Sequence, residues 1–205
     1  MRSSESMPKA PADGIPKLWL LVLGDDHPRA CTGRRLIAHG QARLFPTRRR
    51  RTPVPVVLDP YAPIPLSRQD RSQILRGGLL AVDCSWNRLS VRGTLSDPTN
   101  PLLRGGRRRR LPMLVATNPQ HYGRLGQLNT AEALAAGLAV SGHLSAAARL
   151  LMGFAGGASF LQLNRPRLAA YEEARDPGEI LQAERELFRV LPDFRLLSRG
   201  TTSST

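Results

Sequence analysis

Residues 18–23 form an apolar run that breaks abruptly at Gly24, Asp25, Asp26, His27 and Pro28, the pattern of a buried strand feeding a polar turn. A short helix is expected from near Thr32 to Gly40, whose backbone freedom suits a helix end. Residues 54–58 read as a strand fenced by Pro53, Pro55 and Pro60. Residues 67–76 read as a second helix closed by Gly77 and Gly78, and residues 79–82 as the next strand. Strands alternating with short helices predict a parallel α/β sheet. The pattern then turns helical. Asn129 can cap a helix with Glu132 in the capping-box position, and residues 131–140 are rich in Ala and Leu. Residues 144–154 and 179–191 add two helices, the last with Ile180, Leu181, Leu187 and Phe188 on one face.

Two apolar runs end in polar or aromatic residues: 79–86, through Asp83, Cys84, Ser85 and Trp86, and 111–119, through Thr117, Asn118 and Pro119. Both read as strand ends facing one pocket, the usual place for a site in a parallel sheet. The expected organisation is a disordered tail over residues 1–16 and an α/β domain over 17–110. A cofactor loop and helical domain over 111–198 and a Ser/Thr tail over 199–205 follow.

Charge adds a partner to this picture. Thirty Lys and Arg against sixteen Asp and Glu give a net charge of +14, which points to an anionic partner. Lys9 and Lys17 are the only lysines, and arginine binds phosphate through two donors at once and stacks on bases. A GC-rich genome explains the Arg/Lys ratio equally well, but not the net charge. Cys31 and Cys84 lack zinc-site spacing, so reduced thiols in a cytoplasmic protein are expected. The run at 18–23 is too short to span a bilayer and too internal for a signal peptide.

Three segments carry candidate chemistry. Thr32, at a helix start, puts a hydroxyl beside unpaired N–H groups that suit a carboxylate or phosphate, or it is a plain N-cap. Asp83 ends a buried strand, where a cationic ligand group or a helix N-terminus would be its partner. Trp86 offers a face to a sulfonium or a base, or closes the core. The loop from Leu111 to Thr130 is kept irregular by Pro119, Gly123 and Gly126, with backbone groups expected to be free for a ligand. His27, His39, His121 and His143 are scattered and form no triad.

Four linked stretches carry a resemblance: Cys31-Thr32-Gly33-x-x-Leu36; Val82-Asp83-Cys84-Ser85-Trp86; Leu111-Pro112-x-Leu114-Val115-Ala116-x-Asn118-Pro119-x-x-Tyr122-Gly123; and Thr130-x-Glu132-Ala133-Leu134-Ala135-Ala136. In this order and spacing the chain resembles the ribosome-biogenesis aminocarboxypropyltransferases that modify small-subunit rRNA. The resemblance implies a SPOUT-like fold, with a knotted parallel sheet in the amino-terminal half and a mostly helical carboxyl-terminal half. It also implies S-adenosylmethionine as co-substrate, no metal, and transfer of the 3-amino-3-carboxypropyl group to N3 of a modified uridine. By motif, Thr32 holds the methionine carboxylate, Asp83 lies by the transferred chain and Trp86 walls the methyl pocket. Val82, Leu111, Gly126 and Thr130 hold the rest of the donor. The chain departs from the family at His121, Gly126, Asn129 and the pair Gly156-Gly157.

The sulfonium makes all three attached carbons electrophilic, so orientation selects the product. Asp83 is the acid that would take the acceptor's proton, or it binds the donor ammonium. Arg48, Arg49, Arg50 and Arg51, with Arg107, Arg108, Arg109 and Arg110, are expected in loops as phosphate contacts. A monomer is favoured. The alternatives are a SPOUT-like RNA methyltransferase, an aminocarboxypropyltransferase acting on tRNA or a small molecule, and a non-catalytic RNA-binding assembly factor.

Overall fold

A computed structural model describes residues 14–22, 32–46, 53–83 and 107–188 of the chain. Cys31, Arg48, Arg49, Arg50, Arg51, Cys84 and Trp86 lie outside the described residues, as do the first thirteen residues of the tail expected over 1–16, the turn at 24–28, the end of the helix expected over 179–191 and the tail expected over 199–205.

Five parallel strands form one sheet: β1 (Leu18–Val22), β2 (Arg43–Leu44), β3 (Val56–Leu58), β4 (Leu79–Asp83) and β5 (Arg107–Arg109), in the order β2-β1-β4-β3-β5. Burial on both faces explains why β3 and β4 are near-continuous apolar runs. Helix α1 (Thr32–Ala38) ends before Gly40, whose φ of 67° an L side chain rarely adopts. A 3-10 turn (Arg68–Asp70) leads into α2 (Arg71–Gly77), which stops at Gly78. These elements follow the sequence pattern closely. The short edge strands β2 and β5 do not appear in it, because neither has an apolar alternation.

The carboxyl half holds α3 (Thr130–Val140), α4 (Leu144–Leu151), α5 (Gly157–Leu163), α6 (Arg165–Glu173) and α7 (Pro177–Leu187). The pattern located α3, α4 and α7; α5 and α6 went unread. Asn129 caps α3 as expected: its side chain accepts from the Glu132 backbone N–H, and the Glu132 carboxylate accepts from the Asn129 N–H. Helix α4 ends three residues earlier than its pattern suggested, and Gly153 and Gly156 follow in left-handed conformation. Helix α3 is buried almost all round and packs on β4, where a Cβ on Gly137 would overlap the Leu79 side chain. One apolar core runs from Leu20 and Leu36 through Leu79 and Leu134 to Phe160, Tyr171 and Ile180, spanning both halves. Among the described residues no helix is long and apolar enough to cross a membrane.

The strand order locates a crevice. From β1 the chain next enters β2 on one side of the sheet; from β4 it next enters β5 on the other. The carboxyl ends of β1 and β4, where Val22 pairs with Asp83, therefore flank a topological switch point, the place where open α/β sheets bind ligands.

Candidate active site

Asp83 sits at that switch point, buried to 8% exposure at the end of the central strand. Thr130, the first residue of α3, donates its hydroxyl to Asp83 Oδ1 at 2.5 Å. Gly33 packs against the same carboxylate from α1, so closely that a Cβ there would overlap Oδ2. Thr32 opens α1 immediately before it. Helix α1 is itself anchored: Arg35 donates to the Gly153 carbonyl at 2.9 Å and lies 4.8 Å over the Phe154 ring. Three stretches far apart in sequence, carrying Thr32, Asp83 and Thr130, thus meet around one carboxylate. Two helix starts face it, and the positive end of a helix favours an anion there.

Val82 is half-buried and paired with Leu21 on β1. Leu111 is half-buried against the core, and its carbonyl accepts from Arg110 at 3.2 Å. The segment after it corrects the sequence reading twice. Residues 111–119 do not end a strand of the sheet, and the loop backbone is not free. Instead 114–126 folds back as a hairpin-like arm with an antiparallel bridge between Val115 and Leu125. Ala116 N–H donates to Arg124, Gly123 N–H to Ala116 and Gly126 N–H to Leu114, each at 2.8 Å. Asn164 completes the arm: its amide accepts from Val115 N–H and donates to Val115 C=O, both at 2.8 Å. Pro112, just before the arm, and Pro119, within it, lack the N–H a longer ladder would need. Gly126 adopts a φ of 72°, which accounts for glycine at this position.

Glu132 holds the arm onto α3. Its buried carboxylate accepts from Thr117 N–H (2.7 Å) and Thr117 Oγ1 (2.9 Å) at one oxygen, and from Asn118 Nδ2 (2.6 Å) and Asn129 N–H (2.9 Å) at the other. The capping pattern revealed only the last of these. A buried charge is tolerated when donors surround it in this way. Neither Asn164 nor the second duty of Glu132 leaves a signal in sequence, because both partners come from distant segments.

The run at 107–110 is not a loop but the edge strand β5 and its bridge to Pro65. Each arginine faces a carboxylate. Arg107 lies 3.4 Å from Asp70, and Arg109 Nε donates to the other Asp70 oxygen at 3.0 Å, almost fully buried. Arg108 pairs with Asp59 at 2.5 Å, and Arg110 grips Glu184 through both terminal nitrogens at 2.9 and 2.7 Å. Four consecutive arginines can lie along the sheet edge here because three acids from elsewhere in the chain, one of them shared by Arg107 and Arg109, offset most of their charge.

Comparison with known proteins places this arrangement. Residues 56–188 match the family described as ribosome biogenesis protein, C-terminal. A 16S rRNA aminocarboxypropyltransferase of Methanopyrus kandleri is 41% identical over 172 residues, covering 82% of this chain and 95% of that one. Its counterpart in Halobacterium salinarum is 39% identical, covering 78% and 90%. Among solved structures, the SAM-dependent rRNA:acp-transferase of Vulcanisaeta distributa superposes with a TM-score of 0.73 at 34% identity, covering 87% of this chain and 91% of that one. With a family match over most of its length, relatives near 40% identity and a shared overall fold, the chain belongs to the 16S rRNA aminocarboxypropyltransferase family.

Proposed function

We propose that this protein transfers the 3-amino-3-carboxypropyl group of S-adenosylmethionine to N3 of a uridine in small-subunit rRNA. The observation that carries the reading is the convergence of Gly33, Asp83 and Thr130 at the switch point, in a family whose members are named for this transfer. The site's chemistry fits the donor: the Asp83 carboxylate complements an ammonium or sulfonium, and the start of α3 complements a carboxylate. The bound donor supplies an electrophilic carbon on a sulfonium.

The chain's own residues do the rest. Thr32 and Thr130 bracket the methionine end, while Val82, Leu111 and Gly126 line the path for the adenosine. Asp83 orients the ammonium or takes the N3 proton, and Thr130 fixes the rotamer in which it does so. Trp86, three residues past Asp83, walls off the methyl so that only the longer chain is presented. The net charge of +14 supports a polyanionic acceptor, with Arg48, Arg49, Arg50 and Arg51 and the outer members of the second run, Arg107 and Arg108, as phosphate contacts. The parallel sheet with its switch point at β1 and β4 supports a SPOUT-like α/β architecture, and the knot enters this reading through the family resemblance alone.

Mass spectrometry of small-subunit rRNA incubated with the protein and S-adenosylmethionine tests the reading. An added aminocarboxypropyl mass is expected, with donor binding at about micromolar affinity, near −8 kcal/mol. A methyl mass would instead make the protein a methyltransferase, and no modification despite RNA binding would make it an assembly factor.

A further inference from the structure

N3 of a uridine lies on its pairing edge, so an RNA presented for attack there has an unpaired acceptor, and the neighbouring bases lose a stacking partner. An enzyme that supplies a replacement aromatic surface beside its site stabilises that open RNA. The arm at 114–126 carries such a surface. Tyr122, at its tip, is 68% exposed, whereas Tyr171 is wholly buried with its hydroxyl donating to Met113. The tip is not a loose loop. His121 N–H donates to the Asn118 side chain and Arg124 N–H to His121, both at 3.0 Å, while Gly123 N–H donates to Ala116. Asn118 is in turn fastened to Glu132, two residues from the Thr130 that bonds Asp83. Arg124, also exposed, stands two residues beyond Tyr122 on the same turn.

We propose that Tyr122 and Arg124 form an RNA-docking tip, the ring stacking on an unpaired base flanking the acceptor and the guanidinium taking an adjacent phosphate. This rests on the reading that the acceptor is RNA. A solvent-facing ring on a fastened turn, with an exposed arginine two residues on, matches the way single-stranded RNA is gripped, with stacking indifferent to base identity. The backbone that carries the ring is fastened before RNA arrives, so little backbone freedom is lost on binding.

The test is binding of in vitro transcribed small-subunit rRNA to the full chain over a salt series, with donor affinity and melting temperature measured on each variant. Tyr122→Ala is expected to weaken RNA binding by roughly tenfold to a hundredfold. Tyr122→Phe, which keeps the ring, is expected to bind within about twofold of the parent. Arg124→Ser is expected to reduce the salt slope by about one. Affinity for S-adenosylmethionine and melting temperature should stay unchanged in all three. RNA binding unaltered by Tyr122→Ala overturns the proposal while the transferase reading stands. A loss in Tyr122→Phe equal to that in Tyr122→Ala, or a parallel loss of donor affinity, overturns stacking. A parent protein that binds S-adenosylmethionine but neither binds nor modifies the RNA overturns the acceptor reading and this proposal together.

Discussion

Gly33 illustrates how a residue without a side chain can define a site. An alanine there gains up to about 1 kcal/mol of helix propensity, but its Cβ would overlap the Asp83 carboxylate. Gly33→Ala is therefore expected to raise the Kd for S-adenosylmethionine at least about tenfold by turning Asp83 out of its bond with Thr130. Asp83→Ala removes the two nearest atoms but keeps the Cβ 3.0 Å from the added methyl, so in that background the same change should lower the melting temperature less than it does in the parent; calorimetry and thermal melts on the four proteins of this cycle check both halves. Asp83→Ala by itself is expected to cut transfer about a hundredfold or more with the fold intact. Tyr171 shows a residue whose role is structural. Burial, and behind it the Glu184 carboxylate, pushes its phenol well above its ordinary value of 10.0, with Arg167 and Arg110 opposing. The folded state thus favours the neutral phenol, and this stabilisation is complete below pH 10.0 and lost as pH rises beyond it. Tyr171→Phe is expected to cost about 1 kcal/mol at neutral pH, from the unsatisfied Met113 carbonyl, and to flatten the alkaline limb of a stability–pH curve.

At the scale of elements, two buried acids decide how segments meet. Glu132 takes three donors from the arm and a fourth from the Asn129 cap, so Glu132→Ala leaves the Thr117 and Asn129 N–H groups without their acceptor and the Thr117 hydroxyl and Asn118 amide with one acceptor in place of two. A loss of at least about 3 kcal/mol in urea unfolding is expected, with α3 also deprived of half its capping box. Asp70 fastens β5 to the 3-10 turn through Arg107 and Arg109. Arg109→Ala would leave the buried Asp70 carboxylate with only longer contacts, to the half-exposed Arg107 and to Ser67 N–H, both at 3.4 Å, and about 3 kcal/mol of destabilisation is expected by the same measurement. Replacing all four arginines of this run by serine would therefore unfasten the sheet edge as well as remove phosphate contacts. Arg107→Ser is the cleaner probe, because that side chain is half exposed and Asp70 keeps Arg109. Its expected signature is a salt slope for RNA binding reduced by about one, with stability nearly unchanged.

Over the whole molecule, the sheet and the helical half share one core, and the site lies where they touch. Asp83 comes from β4, Gly33 from the helix after β1, and Thr130 from the first helix of the carboxyl half. Helix α3 is the joint: it packs on β4 through Gly137 and Leu79 while its first turn carries both Thr130 and Glu132. A change that shifts α3 on the sheet is thus felt by the Asp83 carboxylate and by the proposed RNA-docking tip together. With a net charge of +14, RNA association should be fast and strongly salt-dependent while donor affinity is not.

Local chemistry was enough to set the apolar strands β1, β3 and β4, the glycine-stopped helices α1 and α2, and the Asn129 cap of α3, because each depends on neighbours a few residues away. The parallel arrangement followed from the alternation of those elements, and the motifs around Thr32, Asp83 and Thr130 were legible in order and spacing. What needed the tertiary structure was every feature whose partner is distant. An all-arginine segment becomes a strand only once Asp59, Asp70 and Glu184 arrive from elsewhere. The segment after Leu111 becomes a fastened arm only once Asn164 and Glu132 take up its polar groups. Gly33 becomes obligatory only once Asp83 is packed against it. Apolar periodicity reports burial, which a residue carries in its own side chain, whereas pairing of buried charges and amides depends on which groups the fold brings together.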